Sequence, residues 1–81
     1  MITLTVNEII KKVKTHLDYD VVFSGADDLR NWMLYNRYDN HSWLEMNKCH
    51  LALHAMLCQG YLFKMDKNQY AKNPLYIEKK T

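Results

Sequence analysis

The sequence predicts a mainly α-helical fold of the α+β class, in which three helices precede a C-terminal β-hairpin within a single domain, residues 1–81. Apolar residues recur at helical spacing in three separate stretches. Two stretches rich in β-forming residues follow the last helix, and a glycine stands between the helical and the extended part. With 48% apolar and 25% charged residues, the composition is that of an ordered chain with one hydrophobic core.

The first helix is expected from about Val6 to His16. Thr5 stands three residues before Glu8, which is the spacing of a capping box, and Leu4 and Ile9 flank this box as a hydrophobic staple. Lysines occupy the opposite side of the helix from its apolar residues. The residues expected to face the core are Val6, Ile9, Ile10, Val13 and Leu17.

The second helix is expected to follow an extended connector over residues 18–23, which has room for a short strand. Ser24 is predicted to cap this helix, which runs to about Tyr35. Asp27 and Asp28 fall in its first turn, where the helix dipole favours negative charge. The residues expected to be buried are Leu29, Trp32 and Met33.

The third helix follows a turn predicted over residues 36–41. Ser42 and Glu45 have the spacing of a second capping box, and Gly60 stands where a left-handed C-terminal cap is expected. These signals predict one helix of about seventeen residues. Its apolar side is expected to comprise Trp43, Met46, Cys49, Ala52, Leu53 and Met56, with Trp32 and Trp43 as anchors of the core.

The C-terminal hairpin is predicted from two stretches rich in β-forming residues, 61–65 and 75–79. Pro74 suits the start of the second strand at a sheet edge, because it has no amide donor. The polar stretch 66–73 would form a long tip. Three side chains are expected there, Lys67, Tyr70 and Lys72.

Three helices, a cap glycine and a terminal hairpin with a long tip resemble, in this order, the winged helix-turn-helix superfamily. The segment 47–62 is similar to the recognition helix and first wing strand of that superfamily, and the pattern covers residues 5–79. The resemblance implies three helices plus a wing. It also implies a small DNA-binding protein, a transcriptional regulator, that binds duplex DNA through the third helix and a basic wing.

The resemblance also implies which side chains contact DNA. The amide of Asn47 can bond adenine bidentately, and Lys48 can reach guanine or a phosphate. Wing lysines would contact phosphates, and Tyr70 would lie against sugar or the minor groove. The implied contact residues are Ser42, Asn47, Lys48, Lys64, Lys67, Tyr70 and Lys72, with His41, His50 and Leu51 beside them.

Charge is distributed unevenly along the chain. Residues 1–40 carry a formal charge of −1 and residues 41–81 carry +3. The second half contains no Arg, and Glu45 falls in the first turn of the predicted recognition helix. A monomer would neutralise only about four phosphates and bind weakly, with a strong dependence on salt. A homodimer or a different ligand is therefore an open alternative.

A protein-binding module is the alternative function. Small chains of this kind resemble the accessory proteins of bacteriophages that inhibit a host polymerase or a defence complex. Lysines of the hairpin would then keep an edge strand from pairing with other molecules. The aromatic anchors would be Tyr35, Tyr38, Trp43 and Tyr70, because aromatic side chains dominate interface energetics.

Catalysis, cofactors and metals are not expected. The sequence contains neither a glycine-rich phosphate loop nor a GxSxG motif, and Cys49 and His50 would point about 100° apart on a helix. Cys49 and Cys58 would lie about 13 Å apart along that helix and stay reduced. His50 and His54 share a face without a second pair of ligands. With neither a leader pattern nor a long apolar run, we expect a cytoplasmic protein.

Overall fold

The computed structural model describes residues 2–77, in which three helices and three short strands follow one another. In chain order these are α1 (Val6–His16), β1 (Val22–Phe23), α2 (Ala26–Tyr35), α3 (Met46–Gln59), β2 (Leu62–Lys64) and β3 (Tyr70–Lys72). The strands form one antiparallel sheet in the order β1-β3-β2. The general class predicted, α+β with three helices, is confirmed.

Helix α1 has the predicted bounds because its N-terminal signal is local. The hydroxyl of Thr5 accepts a hydrogen bond from the amide of Glu8, and the carboxylate of Glu8 accepts one from the amide of Thr5, both at 3.1 Å. This is the complete capping box. Ile9 and Val13 are fully buried, so the predicted apolar side faces the core.

Helix α2 ends at Tyr35 as predicted, but the predicted cap at Ser24 is wrong. The N-cap residue is Gly25, and the amide of Ser24 instead donates to Oδ2 of Asp28 at 2.8 Å. The carboxylate in the first turn thus bonds the residue before the N-cap, one position earlier than the bond of a capping box. Two predicted core residues are fully buried and the third only partly, namely Leu29, Met33 and Trp32.

Helix α3 begins later than predicted, and the expected capping box of Ser42 and Glu45 is wrong. The N-cap residue is Glu45, and the helix has 14 residues. Trp43 forms a parallel β-bridge with Thr3, and its carbonyl accepts the amide of Leu4 at 3.0 Å. A residue held in an extended bridge cannot also be helical. Trp43 therefore lies outside α3 and is 50% exposed, so its predicted place in the core is also wrong.

The end of α3 is the predicted left-handed cap. Gly60 has φ 81° and ψ 3°. Its amide donates to the carbonyl of Leu57 at 3.1 Å, and the amide of Tyr61 donates to the carbonyl of Met56 at 3.0 Å. This pair of bonds is a Schellman motif, with the buried side chains of Tyr61 and Met56 in the usual apolar positions. The motif turns the chain from α3 directly into β2.

The hairpin is shorter than predicted, because a tight turn closes it early. Lys67 and Asn68 both have positive φ, 44° and 64°, and the amide of Gln69 donates to the carbonyl of Asp66 at 3.1 Å. Two central residues with positive φ are typical of a type I′ turn, which suits the twist of paired strands. The second strand of the hairpin is therefore β3. The predicted strand over residues 75–79 is wrong for residues 75–77, which are not in a strand.

The chain leaves the sheet after β3. The amide of Asn73 still donates to the carbonyl of Tyr61 at 2.8 Å, and its side-chain amide donates to the carbonyl of Gly60 at 2.9 Å. Pro74 then begins a turn instead of a strand. Residues 78–79, which were predicted to end the second strand, lie outside the described part of the chain.

One cluster of buried side chains joins all three helices to the inner face of the sheet. No helix within residues 2–77 is both long and apolar enough to cross a lipid bilayer. The largest side chains below 2% exposure are Ile9, Val13, Phe23, Leu29, Met33, Leu44, Cys49, Met56 and Leu62.

Candidate nucleic-acid interface

The outer flank of α3 is a strip of polar and apolar side chains that faces solvent. The buried flank is formed by Cys49, Ala52, Leu53 and Met56. The exposed flank comprises Asn47, His50, Leu51, His54 and Cys58. These positions repeat every three or four residues, so they share one side of the helix for about three turns. This strip includes neither an acidic side chain nor a Lys or Arg.

Lys48 stands at the border between α3 and α1, close to Glu8. The pKa of Glu8 lies below its usual value, first because Thr5 hydrogen-bonds it through its backbone and side chain. The nearby ammonium groups of Lys12 and Lys48 lower that pKa further. Lys48 is partly buried, so its positive charge lies at one edge of the strip.

A shallow groove of about 520 Å³ separates the N-terminal ends of α2 and α3. Neither N-cap residue, Gly25 or Glu45, makes a side-chain hydrogen bond to the first amides of its helix. Such ends favour anions such as phosphate. Asp27 and Asp28 add negative charge on the α2 side. The groove is lined by Ser24, Gly25, Ala26, Asp27, Asp28, Met46, Asn47 and His50.

The hairpin places two predicted lysines in solvent. Lys64 ends β2, and Lys67 lies at the tip with its left-handed backbone. Both side chains are exposed. They follow Gly60 closely in the chain, so the Schellman motif that ends α3 also sets the direction in which they project.

The other two residues expected at the tip do not lie there. Tyr70 and Lys72 belong to the central strand β3, because the turn ends at Gln69. Tyr70 is partly buried against the core. The Lys72 ammonium donates to the carbonyl of Leu17 at 3.5 Å and stands 4.5 Å from the ring centroid of Tyr19. Their predicted position on the wing tip is wrong.

Ser42 and His41 lie in the connector before α3 and not on the helix. The amide of Ser42 donates to the carbonyl of Asp39 at 2.9 Å, and Ser42 is partly buried. His41 is exposed with φ 63°. The structure therefore separates Ser42 from Asn47, whereas it brings Asn47 and His50 together along one groove.

Sequence reasoning missed an apolar surface beside the start of α3. Trp43 is half exposed, with the Arg30 guanidinium carbon 5.9 Å from its ring centroid, and Met46 is 41% exposed. The bridge to Thr3 holds Trp43 in this place. The signal in the sequence was the alternation of Ile2, Thr3 and Leu4, which is typical of an extended segment able to pair.

The two cysteines differ in environment. Cys49 is fully buried, and burial raises the pKa of its thiol to about 11, although Arg30 opposes this shift. Cys58 is exposed on the outer flank of α3, and both thiols are free. Within residues 2–77, no group of three or more His, Cys, Asp or Glu side chains is arranged to hold a metal ion.

Comparison with known proteins gives no match. The chain matches no family model, and neither a curated protein nor a solved structure matches it.

Proposed function

We propose that the chain is a small duplex-DNA-binding domain that works as a winged helix-turn-helix and serves as a transcriptional regulator. The observation that carries the proposal is the exposed strip of α3, followed at once by a hairpin with two exposed lysines. In this proposal α3 lies in the major groove and the hairpin lies along the sugar-phosphate backbone. The order of three helices and a terminal hairpin supports it.

The strip offers side chains that can read bases. Asn47 can donate to and accept from adenine, and His50 and His54 carry ring nitrogens that can bond base edges or phosphates. Leu51 can contact a thymine methyl group. All four side chains are exposed and lie on one side of α3, so a single docking orientation presents them together.

Phosphate contacts would come from three lysines and two helix ends. Lys48 lies at the edge of the strip, while Lys64 and Lys67 lie on the hairpin. The first amides of α2 and α3 border one groove and can bond phosphate oxygens. Lys72 is omitted from this set, because its ammonium is bonded to the carbonyl of Leu17.

Two features set this chain apart from a typical helix-turn-helix. The connector between α2 and α3 spans residues 36–45, whereas the usual turn has about three or four residues. The first turn of α2 carries Asp27 and Asp28, which repel phosphate. We therefore assign the main contacts to α3 and the hairpin, and only a minor one to the start of α2.

Salt dependence of DNA binding tests the proposal. Fluorescence anisotropy would follow a labelled duplex of mixed sequence at about 50 and 200 mM salt. Three phosphate contacts give a slope of about −2.7 in log affinity against log salt, which is a loss of about 40-fold across this range. If the full chain does not bind duplex DNA at the lower salt concentration, the proposal is rejected.

A charge-reversal variant locates the contact surface. Changing Lys64→Glu together with Lys67→Glu should lower affinity at least about 10-fold and reduce the salt slope to about −1, since one lysine remains. The matched control, Lys11→Glu with Arg37→Glu, makes the same change in net charge at exposed positions of α1 and the α2–α3 connector. Equal losses in both variants would show a nonspecific effect of charge and remove the hairpin from the interface.

The second candidate is a protein-docking module, such as a small phage protein that inhibits a host polymerase or defence complex. The observation that favours it is exposed aromatic surface: Tyr35 is 89% exposed and Trp43 50%. Large exposed aromatics are typical interface anchors. Absence of DNA binding, combined with protection of these two side chains by a partner in covalent footprinting, would favour this candidate over the first.

A further inference from the structure

Two histidines of α3, His50 and His54, lie one helical turn apart on the exposed strip. Residues four positions apart on a helix have Cβ atoms about 5–6 Å apart and share one face. Both side chains are exposed, whereas Ala52 and Leu53 between them are buried on the opposite flank. The helix therefore presents two neighbouring imidazole rings to solvent.

Neither ring is used to hold the fold together. Within residues 2–77, His50 and His54 make no side-chain hydrogen bond, ion pair or ring contact. His16, in contrast, stacks flat on Tyr38, with ring centroids 4.0 Å apart and an interplanar angle of 4°. A neutral imidazole has one ring nitrogen that can act as a metal ligand. Both α3 rings can therefore turn toward one shared ion.

The surroundings of this pair favour a cation. The lysine of α3, Lys48, lies toward α1 and close to Glu8, and the strip itself carries no Lys or Arg. His50 lines the groove between the N-terminal ends of α2 and α3, and Asp27 and Asp28 line the same groove. Carboxylates near a site attract a cation through space without having to contact it. A cation held at His50 therefore also gains from the acidic side of the groove.

We propose that His50 and His54 bind one divalent transition-metal ion, with water in its remaining positions. Imidazole is a ligand that Ni²⁺, Cu²⁺ and Zn²⁺ accept, and two histidines four positions apart on one helix face can share such an ion. Within residues 2–77, no third His, Cys, Asp or Glu side chain joins the pair in a group arranged to hold a metal. The site is therefore open and exchangeable, unlike the closed site with four protein ligands that the sequence argument excluded. This inference does not depend on DNA binding.

Cys58 offers a competing pair with the same spacing. It stands four residues after His54, is exposed and carries a free thiol. Thiolate ligands select Cu(I) and Zn²⁺, whereas imidazole also suits Ni²⁺. Ni²⁺ is therefore the probe that favours the two histidines, and Cys58→Ser distinguishes the two pairs.

Isothermal titration calorimetry with Ni²⁺ tests the site on the full chain, without a histidine tag and without DNA. The wild-type chain should bind one ion with a Kd below about 1 mM. His50→Ala or His54→Ala should raise this Kd at least about 10-fold, because even the loss of a second-shell partner of a ligand costs about 10–100-fold. His41→Asn and Cys58→Ser, which change exposed residues outside the pair, should leave it unchanged. No Ni²⁺ binding up to about 1 mM overturns the proposal, and so does an equal loss in either control.

Thermal unfolding shows whether the folded helix carries the site. Unfolding destroys the spacing of the two rings, so Ni²⁺ at ten times its Kd should raise the Tm by up to about 8 °C, given an unfolding entropy of about 170 cal/mol/K for 81 residues. His50→Ala and His54→Ala should each lose most of this shift at the same Ni²⁺ concentration. Both variants should fold, because alanine favours a helix, and circular dichroism without the ion checks this. A wild-type Tm that does not rise with Ni²⁺ means that the native spacing is not the site, and the proposal fails.

Discussion

Substitution of Gly60 tests the left-handed cap that ends α3 and sets the direction of the hairpin. The residue has φ 81°, and apart from Gly60 itself and its two chain neighbours no residue has a heavy atom within 4 Å of the position that a Cβ would take. An added methyl group therefore meets no steric clash, and the cost of Gly60→Ala is the left-handed backbone alone, about 1–2 kcal/mol. The unfolding entropy of 81 residues is about 170 cal/mol/K, so the Tm should fall by about 6–12 °C.

Two companion variants separate this effect from other causes. Gly60→Asn should cost less than Gly60→Ala, because asparagine tolerates the left-handed conformation better. Gly25→Ala should change stability by no more than about 0.5 kcal/mol, because Gly25 is extended and open space surrounds it. Thermal unfolding followed by circular dichroism measures all three. If Ala at position 60 costs no more than Asn, the left-handed cap does not limit stability and the explanation is wrong.

The capping box and the two thiols give the remaining predictions. Thr5→Ala should destabilise the chain by about 0.5–2 kcal/mol in urea unfolding. The pKa of Glu8 is lowered in the folded state. Its contribution to stability is therefore fully present at pH values above the ordinary pKa of 4.5, and it is lost as the pH falls through the lowered pKa. Thr5→Ala should therefore weaken the pH dependence of the unfolding free energy in this range. An unchanged pH profile would contradict this role of Glu8. Iodoacetamide at about pH 8 should alkylate exposed Cys58 and spare buried Cys49, so mass spectrometry of the native chain should show one adduct; two adducts would argue against a protected Cys49.

The parts of the fold that were predictable depend on local signals. The spacing of Thr5 and Glu8 fixed the start of α1, and Gly60 fixed the end of α3. Each signal acts through hydrogen bonds between residues close in sequence, so it operates without knowledge of the rest of the chain.

The start of α3 was not predictable from spacing alone. Ser42 and Glu45 have the same separation as Thr5 and Glu8, but Trp43 between them is paired with Thr3. That bridge joins residues forty positions apart and buries Leu44, and it prevails over a weak local preference. A tertiary contact of this kind leaves no trace in the spacing of two capping residues.

The sequence predicted the accessibility of the helix and turn residues of the candidate site, but it misplaced the residues of the second hairpin strand. Asn47 and Lys67 are as accessible as expected, because they belong to a helix flank and a turn. Tyr70 and Lys72 were misplaced because the second strand was assigned by β-propensity, whereas the turn at Lys67 and Asn68 sets where it starts. Propensity describes a fit to a sheet and carries no information about register.

Trp32 and Trp43 lie in different environments, so their intrinsic fluorescence should report on different events. Trp32 is partly buried against the core, 5.6 Å from Phe23 and 5.0 Å from Tyr38 between ring centroids, so its emission should follow global unfolding. Trp43 is half exposed and lies just before the N-terminus of α3, so its emission should respond when a ligand covers that end of the helix. Replacing one indole at a time with phenylalanine would let a single unlabelled sample distinguish loss of structure from occupancy of the surface.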